Sequence, residues 1–352
     1  MISFAGGPVV EEMVEPLRVR LAEFRRPSWR RAWIELALTI VPLALGLAAM
    51  LWSLERSLLL TLALALPVAL LMLRLFVIQH DCGHGSFFAA RWANALVGGL
   101  IGVVTLAPYA YWRRNHAHHH AHHGNLGREQ LGGLETLTLA RYQALSARRK
   151  LAYRLYRHPL VLLGLGPIYQ FGLKHRLPLD IPLHWRREWL SVIVNDLALL
   201  GLLALGLRTI GLARTLLVLA AIAGPVWMLM ISIGIWLFYV QHQFVDAYWR
   251  SPGEWRFVDA GLRGSSFYDL PAPQRWLTGN IGYHHVHHLA PKIPMYRLRE
   301  CHAAIPELAA APRLSLRESL ACARLRLWDE QGQRMIGLGA SSGSGVTRGA
   351  AD

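Results

Sequence analysis

Four long apolar runs interrupt an otherwise polar, arginine-rich chain. The first extends from Trp33 to Trp52, broken only by Glu35 near its start. The second extends from Ser57 to Gln79, with Pro67 inside it and Arg74 near its end. The third and fourth cover about 189–207 and 215–240. A helix of roughly 20 residues crosses the hydrocarbon core of a bilayer, so each run predicts one span. Pro42 and Pro67 are tolerable there as kinks, and Arg74 stands where a long side chain can snorkel. Glu55 with Arg56, and Arg208 with Arg214, mark the turns of two helical hairpins. A shorter Gly-rich stretch, Ala95 to Ala107, is too short to span and reads as a re-entrant or interfacial helix.

The flanks are different in kind. Residues 1–32 are polar, and Leu17, Leu21 and Phe24 at helical spacing predict an amphipathic helix on the membrane surface. The apolar run that follows starts too late and is too long for a signal peptide. Residues 337–352 are rich in Gly and Ser and predict a disordered tail. The expected architecture is an all-α integral membrane protein. Residues 33–336 form its main domain, with four transmembrane helices and a cytoplasmic helical cap.

Composition agrees with a part-membrane, part-polar protein. The 352 residues are 53% hydrophobic and 17% charged, against about 45–50% and 25% for soluble domains. The net charge of +15 comes mostly from arginine. Four spans put the N-terminus, the middle segment and the C-terminal segment on one side, and these carry nearly all the Lys and Arg. The positive-inside rule makes that side the cytoplasm, in a multi-pass protein of the cell inner membrane. Such charge reports topology and anionic lipid rather than nucleic acid. It also suits an acidic protein partner, such as an electron carrier. Cys82, Cys301 and Cys322 form no CxxC pair, which disfavours a zinc ribbon, an iron–sulfur site or a thioredoxin-like motif.

The 17 histidines are clustered. One group is His80-Asp81-Cys82-Gly83-His84, directly after the second span. Another is His116 to His123, and a third is His284-His285-Val286-His287-His288. His242 closes the fourth span. Positions i, i+3 and i+4 share one helix face. His80 and His84 are therefore aligned, as are His116, His119 and His120, and again His284, His287 and His288. All lie just past spans or in segments on the expected cytoplasmic side, so they can converge. Neutral imidazoles suit Zn, Cu, Fe or Ni, and about eight or nine ligands are too many for one ion. No HExxH occurs, so a zinc protease would lack its general base. The spacing leads to two metals and leaves their identity open. His158, His175, His184 and His302 lie outside the clusters and read as ordinary surface or hydrogen-bonded residues.

These three boxes resemble those of the membrane fatty acid desaturases. Trp112 before the second box, Gly124-Asn125-Leu126 after it, Thr136-Leu137-Thr138, Tyr153 to Arg157, Gly264-Ser265-Ser266 and Asn280-Ile281-Gly282-Tyr283 extend the likeness. It covers roughly residues 30–305 and is nearest to bacterial ω-6 (Δ12-type) acyl-lipid desaturases. The resemblance implies a di-iron centre, with dioxygen as co-substrate and an acyl lipid as substrate. Its ligands would be His80, His84, His116, His119, His120, His284, His287 and His288, with His242 as the additional histidine. His119, His122 and His123 also fit the second-box spacing, but Trp112 and Gly124-Asn125-Leu126 favour the earlier register. Asp81, Asp246, Asp269 and Asn280 are candidates to orient the ligands. Asn195 and Asp196, costly inside a span, should face the interior and line an acyl channel or join helices. No fused electron-transfer domain is evident, so an external donor is implied, of ferredoxin type. A hydroxylase or ketolase on the same scaffold, a membrane metal transporter and a basic membrane-surface binding protein remain as alternatives.

Overall fold

A computed structural model describes residues 11–128 and 132–339. The first apolar run folds as α2 (Trp29–Leu54), the second as α3 (Leu58–His84). Serines start both: Ser28 accepts from the Arg31 N–H, and Ser57 from the Leu60 N–H, satisfying donors that a helix start leaves free. The two helices pack as an antiparallel pair, and buried Ser53 and Thr61 hydrogen-bond across their turn at 2.9 Å. The helix of the second run continues five residues beyond Gln79. It therefore carries the first histidine box in helical geometry and stops at Gly85, whose φ of 68° suits glycine.

Next come α4 (Arg91–Val104) and α5 (Tyr109–His122), bent by 104° across the break between them. The apolar stretch Ala95 to Ala107, expected as a re-entrant or interfacial helix, thus begins in α4 and runs into the break after it, and the second box rides on α5. Gly98 lets α4 meet the Tyr109 ring, which a Cβ there would approach to 2.4 Å. The Tyr109 hydroxyl in turn donates to the Cys82 carbonyl at 2.7 Å, fixing the bend against α3.

The third and fourth runs form a helical stretch, Arg186–His242, of 57 residues. At about 1.5 Å per residue it would far exceed any bilayer. It breaks at Gly211 (φ 77°, ψ 169°), inside α6 (Arg186–Val218), and after a short π-helical segment ends in α7 (Gly224–His242). Thr215 returns against Gly206, so the break is a tight turn. Arg214 beside it forms an ion pair with Glu55 of the α2–α3 turn. The two turns therefore lie together, at the far ends of α3 and α7 from His84 and His242. Among the described residues, three helical stretches are long and apolar enough to cross a membrane, or four if α4 and α5 count as one.

Two expectations are corrected. The helix α1 (Glu11–Glu23) buries Leu17 and Leu21 in the protein core instead of in lipid, and Arg20 bonds both Glu307 oxygens at 2.7 and 2.8 Å. An apolar stripe reads the same whether protein or membrane covers it. Arg74 does not snorkel. It is buried at 1% exposure, pairs with Glu35 of α2, bonds Thr39, and reaches the Trp276 carbonyl.

The polar remainder is not wholly helical, which amends the all-α expectation. Short strands β1 (Leu137–Thr138), β4 (Leu327–Asp329) and β5 (Arg334–Ile336) make one sheet, with β1 parallel and β5 antiparallel to β4. Strands β2 (Phe267–Asp269) and β3 (Arg313–Ser315) pair in parallel. The third box forms its own short helix, α8 (His284–Leu289), followed by α9 (Leu298–Ala304). Of the expected tail, 340–352 lie outside the described residues, as do residues 1–10 of the N-terminal segment.

Candidate metal centre

The ends of α3 and α7, the length of α5 and the whole of α8 bring their histidines together. Gly83 makes room for the approach of α5, since a Cβ there would lie 2.9 Å from the Trp112 ring. Trp112 stacks on His116 at 4.6 Å and 17°. One group comprises His80, His84, His116, His120 and His287, and a second His119, His242 and His288. Within each, the candidate ligand nitrogens lie within 4.8 Å of one another. His284 joins the second group through His242, with their Nε2 atoms 2.9 Å apart. The groups adjoin: the His120 and His288 rings stack at 4.1 Å.

The separations bear on what the groups can hold. Nε2 of His120 is 3.0 Å from Nε2 of both His116 and His287, and that of His119 is 3.1 Å from that of His242. Neighbouring nitrogens at about 2.1 Å from one ion would be separated by roughly 3 Å. Hydrogen bonding among imidazoles does not account for the cluster, because Nε2 of His84 and of His288 are buried without a partner. Buried polar atoms are seldom left so. Burial pushes His284, His287 and His288 well below the ordinary histidine range, and neighbouring imidazoles add to it. They are neutral, the form that donates a lone pair to a metal.

The groups take in His116, His119 and His120 of the second box and not His122 or His123. His122 is half-buried and its Nδ1 donates to the His118 carbonyl at 3.0 Å. His123 donates from Nε2 to the Gly264 carbonyl at 2.9 Å, and its burial pushes its pKa down to about 4. The same carbonyl accepts from His242 Nδ1 at 3.1 Å, which leaves the His242 Nε2 lone pair turned towards His119 and His284. The sequence likeness includes Gly264-Ser265-Ser266 but gives Gly264 no such role, since the group that acts is its main-chain oxygen.

The candidate orienting residues separate. Asp81 is fully buried and accepts from the Met295 N–H at 2.5 Å, while Asn280, at φ 57°, donates to the Met295 carbonyl at 3.1 Å. Together they hold the N–H and the carbonyl of one residue, Met295, and so tie the first box to the segments on either side of the third. The other Asp81 oxygen lies 3.4 Å from His80 Nδ1, without hydrogen-bond geometry. Asp246 is exposed. Asp269 is engaged by Arg275 and Arg313. Asn195 and Asp196 both receive Arg176, and Asn195 also donates to the Gly102 carbonyl at 2.8 Å. Arg176 reaches the Leu106 carbonyl at 2.8 Å, so this trio ties α6 to the α4–α5 bend. Their polar ends join helices. A cleft beside the second group is lined by His119, His123, Leu134, Phe238, His242 and Trp249.

Two adjoining imidazole groups able to hold metal, at the ends of long apolar helices, mark a membrane-type, multi-histidine protein. The sequence profile of the family described as fatty acid desaturase matches residues 55–319. The chain is 42% identical over 325 residues to a fatty acid desaturase of Bacillus subtilis, covering 92% of this chain and 90% of that one. It is 29% identical over 252 residues to the sn-1 oleoyl-lipid 12-desaturase of Synechocystis, covering 66% and 64%. Against the chloroplastic sn-2 acyl-lipid omega-3 desaturase (ferredoxin) of Helianthus annuus it is 30% identical over 325 residues, covering 83% and 68%. The chain belongs to the fatty acid desaturase family and is an oxidoreductase of lipid metabolism.

Proposed function

We propose that this enzyme introduces a cis double bond at the Δ12 (ω-6) position of an acyl chain carried on a membrane lipid, using two iron ions. His80, His84, His116, His120 and His287 hold one ion, and His119, His242, His284 and His288 the other. The observation that carries this reading is the pair of adjoining imidazole groups with unpartnered, buried Nε2 atoms. The sn-1 oleoyl-lipid 12-desaturase of Synechocystis among the relatives supports the position of the double bond.

Iron bound there would supply the dioxygen-activating redox chemistry that an unactivated methylene requires. The chain's own residues do the rest. Helix ends fix the imidazoles, Gly264 selects the His242 tautomer, and the Asp81–Met295–Asn280 clamp keeps the first and third boxes in register. Phe238, packed on His119 at 4.9 Å and His242 at 5.1 Å, offers an apolar wall to a methylene chain, which has no polar handle. Two hydrogens leave the chain. Together with two electrons and two protons from outside they reduce dioxygen to two waters.

Four crossings follow if each arm of Arg186–His242 spans the membrane, with the Gly211 and Glu55 turns on one side and the histidines on the cytoplasmic side of the inner membrane. The paired turns and the basic histidine-bearing segments support this. Net positive charge also suits an acidic donor of ferredoxin type.

Expression in a host that makes only saturated and monounsaturated acyl chains tests the reaction. Gas chromatography–mass spectrometry of its lipids should reveal a diene with a new bond at the Δ12 position. A hydroxylated chain with no added alkene would sink desaturation in favour of hydroxylation.

A further inference from the structure

Two histidines outside the metal groups meet beneath the surface. His285, within α8, is fully buried, and its Nε2 lies 3.0 Å from Nδ1 of His302 on α9. His302 is partly exposed, its ring flanked by Phe267 at 5.0 Å and Tyr283 at 5.1 Å. The contact thus runs from the surface to a residue covalently joined to His284 and two positions from His287. The imidazole groups themselves are buried, apart from partly exposed His84. A donor protein therefore meets at most the edge of His84, and electrons bound for the buried members of both groups must tunnel inward. Covalent and hydrogen bonds carry tunnelling better than gaps do.

Around His302 guanidinium groups outnumber carboxylates, and exposed Glu300, next to Arg299, is itself paired with Arg31 and Arg297. Arg299, exposed, precedes it by three residues on α9 and so shares its face. Arg313, exposed, and Arg275 both engage Asp269, which leaves two guanidinium groups against one carboxylate. Charge of one sign at a contact point steers a partner of the other sign.

We propose that the face around His302 and Arg299 receives an acidic, one-electron iron–sulfur protein, and that the His302–His285 hydrogen bond is the route inward to the metal-binding helix. The inference rests on the reading that the two groups hold iron. Each turnover takes two electrons, delivered singly. The donor cluster is oxidised as the ferric site is reduced, and no bond forms or breaks at either histidine.

The test uses the iron-loaded enzyme in lipid nanodiscs, with reduced plant-type ferredoxin as one reductant and dithionite with methyl viologen as the other. His302→Leu should slow ferredoxin-driven reduction by about tenfold and leave iron content and dithionite-driven reduction unchanged. His302→Gln, which keeps a hydrogen-bonding partner for His285, should recover part of the rate. Arg299→Glu should raise the KM for ferredoxin several-fold at low salt, with the effect fading as salt rises. An unchanged ferredoxin rate in His302→Leu overturns the proposal. Equal slowing with both reductants, or iron loss in both His302 variants, also overturns it and marks a purely structural contact. Wild-type protein without reducible iron overturns the underlying reading as well, and is seen before any variant is compared.

Discussion

His120→Ala should lose desaturase activity by at least about a hundredfold and lose metal from both groups. His120 is where the groups meet. Its Nε2 faces those of His116 and His287, each at 3.0 Å, and its ring stacks on His288 at 4.1 Å. Truncation there removes a ligand from one group and the packing surface of the other. His122→Ala is the matched control two residues away. That imidazole is half-buried and bonds the His118 carbonyl, so its loss should leave metal content and activity near wild type. Metal analysis and lipid turnover on the two variants check this. Equal losses in both would contradict the arrangement of the second box.

Arg74→Met should lower stability by about 3–5 kcal/mol, the usual cost of breaking a buried ion pair from one side. Arg74 holds Glu35 of α2, Thr39 and the Trp276 carbonyl, and lies 4.2 Å from the Trp276 ring centre. The change strands Glu35 and frees the segment leading into the third box. A thermal melt in detergent should show a midpoint several degrees lower. The double variant Glu35→Gln/Arg74→Met should melt above the single one, because the stranded carboxylate is gone. A single variant that melts as wild type would refute the pairing.

These two residues also mark how far the sequence could be read. The apolar runs and the i, i+3, i+4 histidine spacing are local patterns, and they located the helices and the convergent imidazoles. The first box continues the helix of the second run because nothing breaks it before Gly85. What was not legible lies between distant segments. Arg74 pairs with a residue 39 positions earlier, and lipid-facing and protein-facing arginines look alike in sequence. Leu17 and Leu21 face the protein for the same reason. Asn195 and Asp196 meet Arg176, which no pattern links to them. His285 sat in a recognisable box, yet its partner His302 belongs to no repeat. Gly264 acts through its backbone, and the short strands β1 to β5 are too brief for alternation to register.

The central claim is that these histidines form one centre for two iron ions. The direct measurement is metal content with Mössbauer spectroscopy on purified, active enzyme. Two iron ions per chain are expected, one in each imidazole group. Activity with a single ion per chain, or with zinc in place of iron, would contradict it.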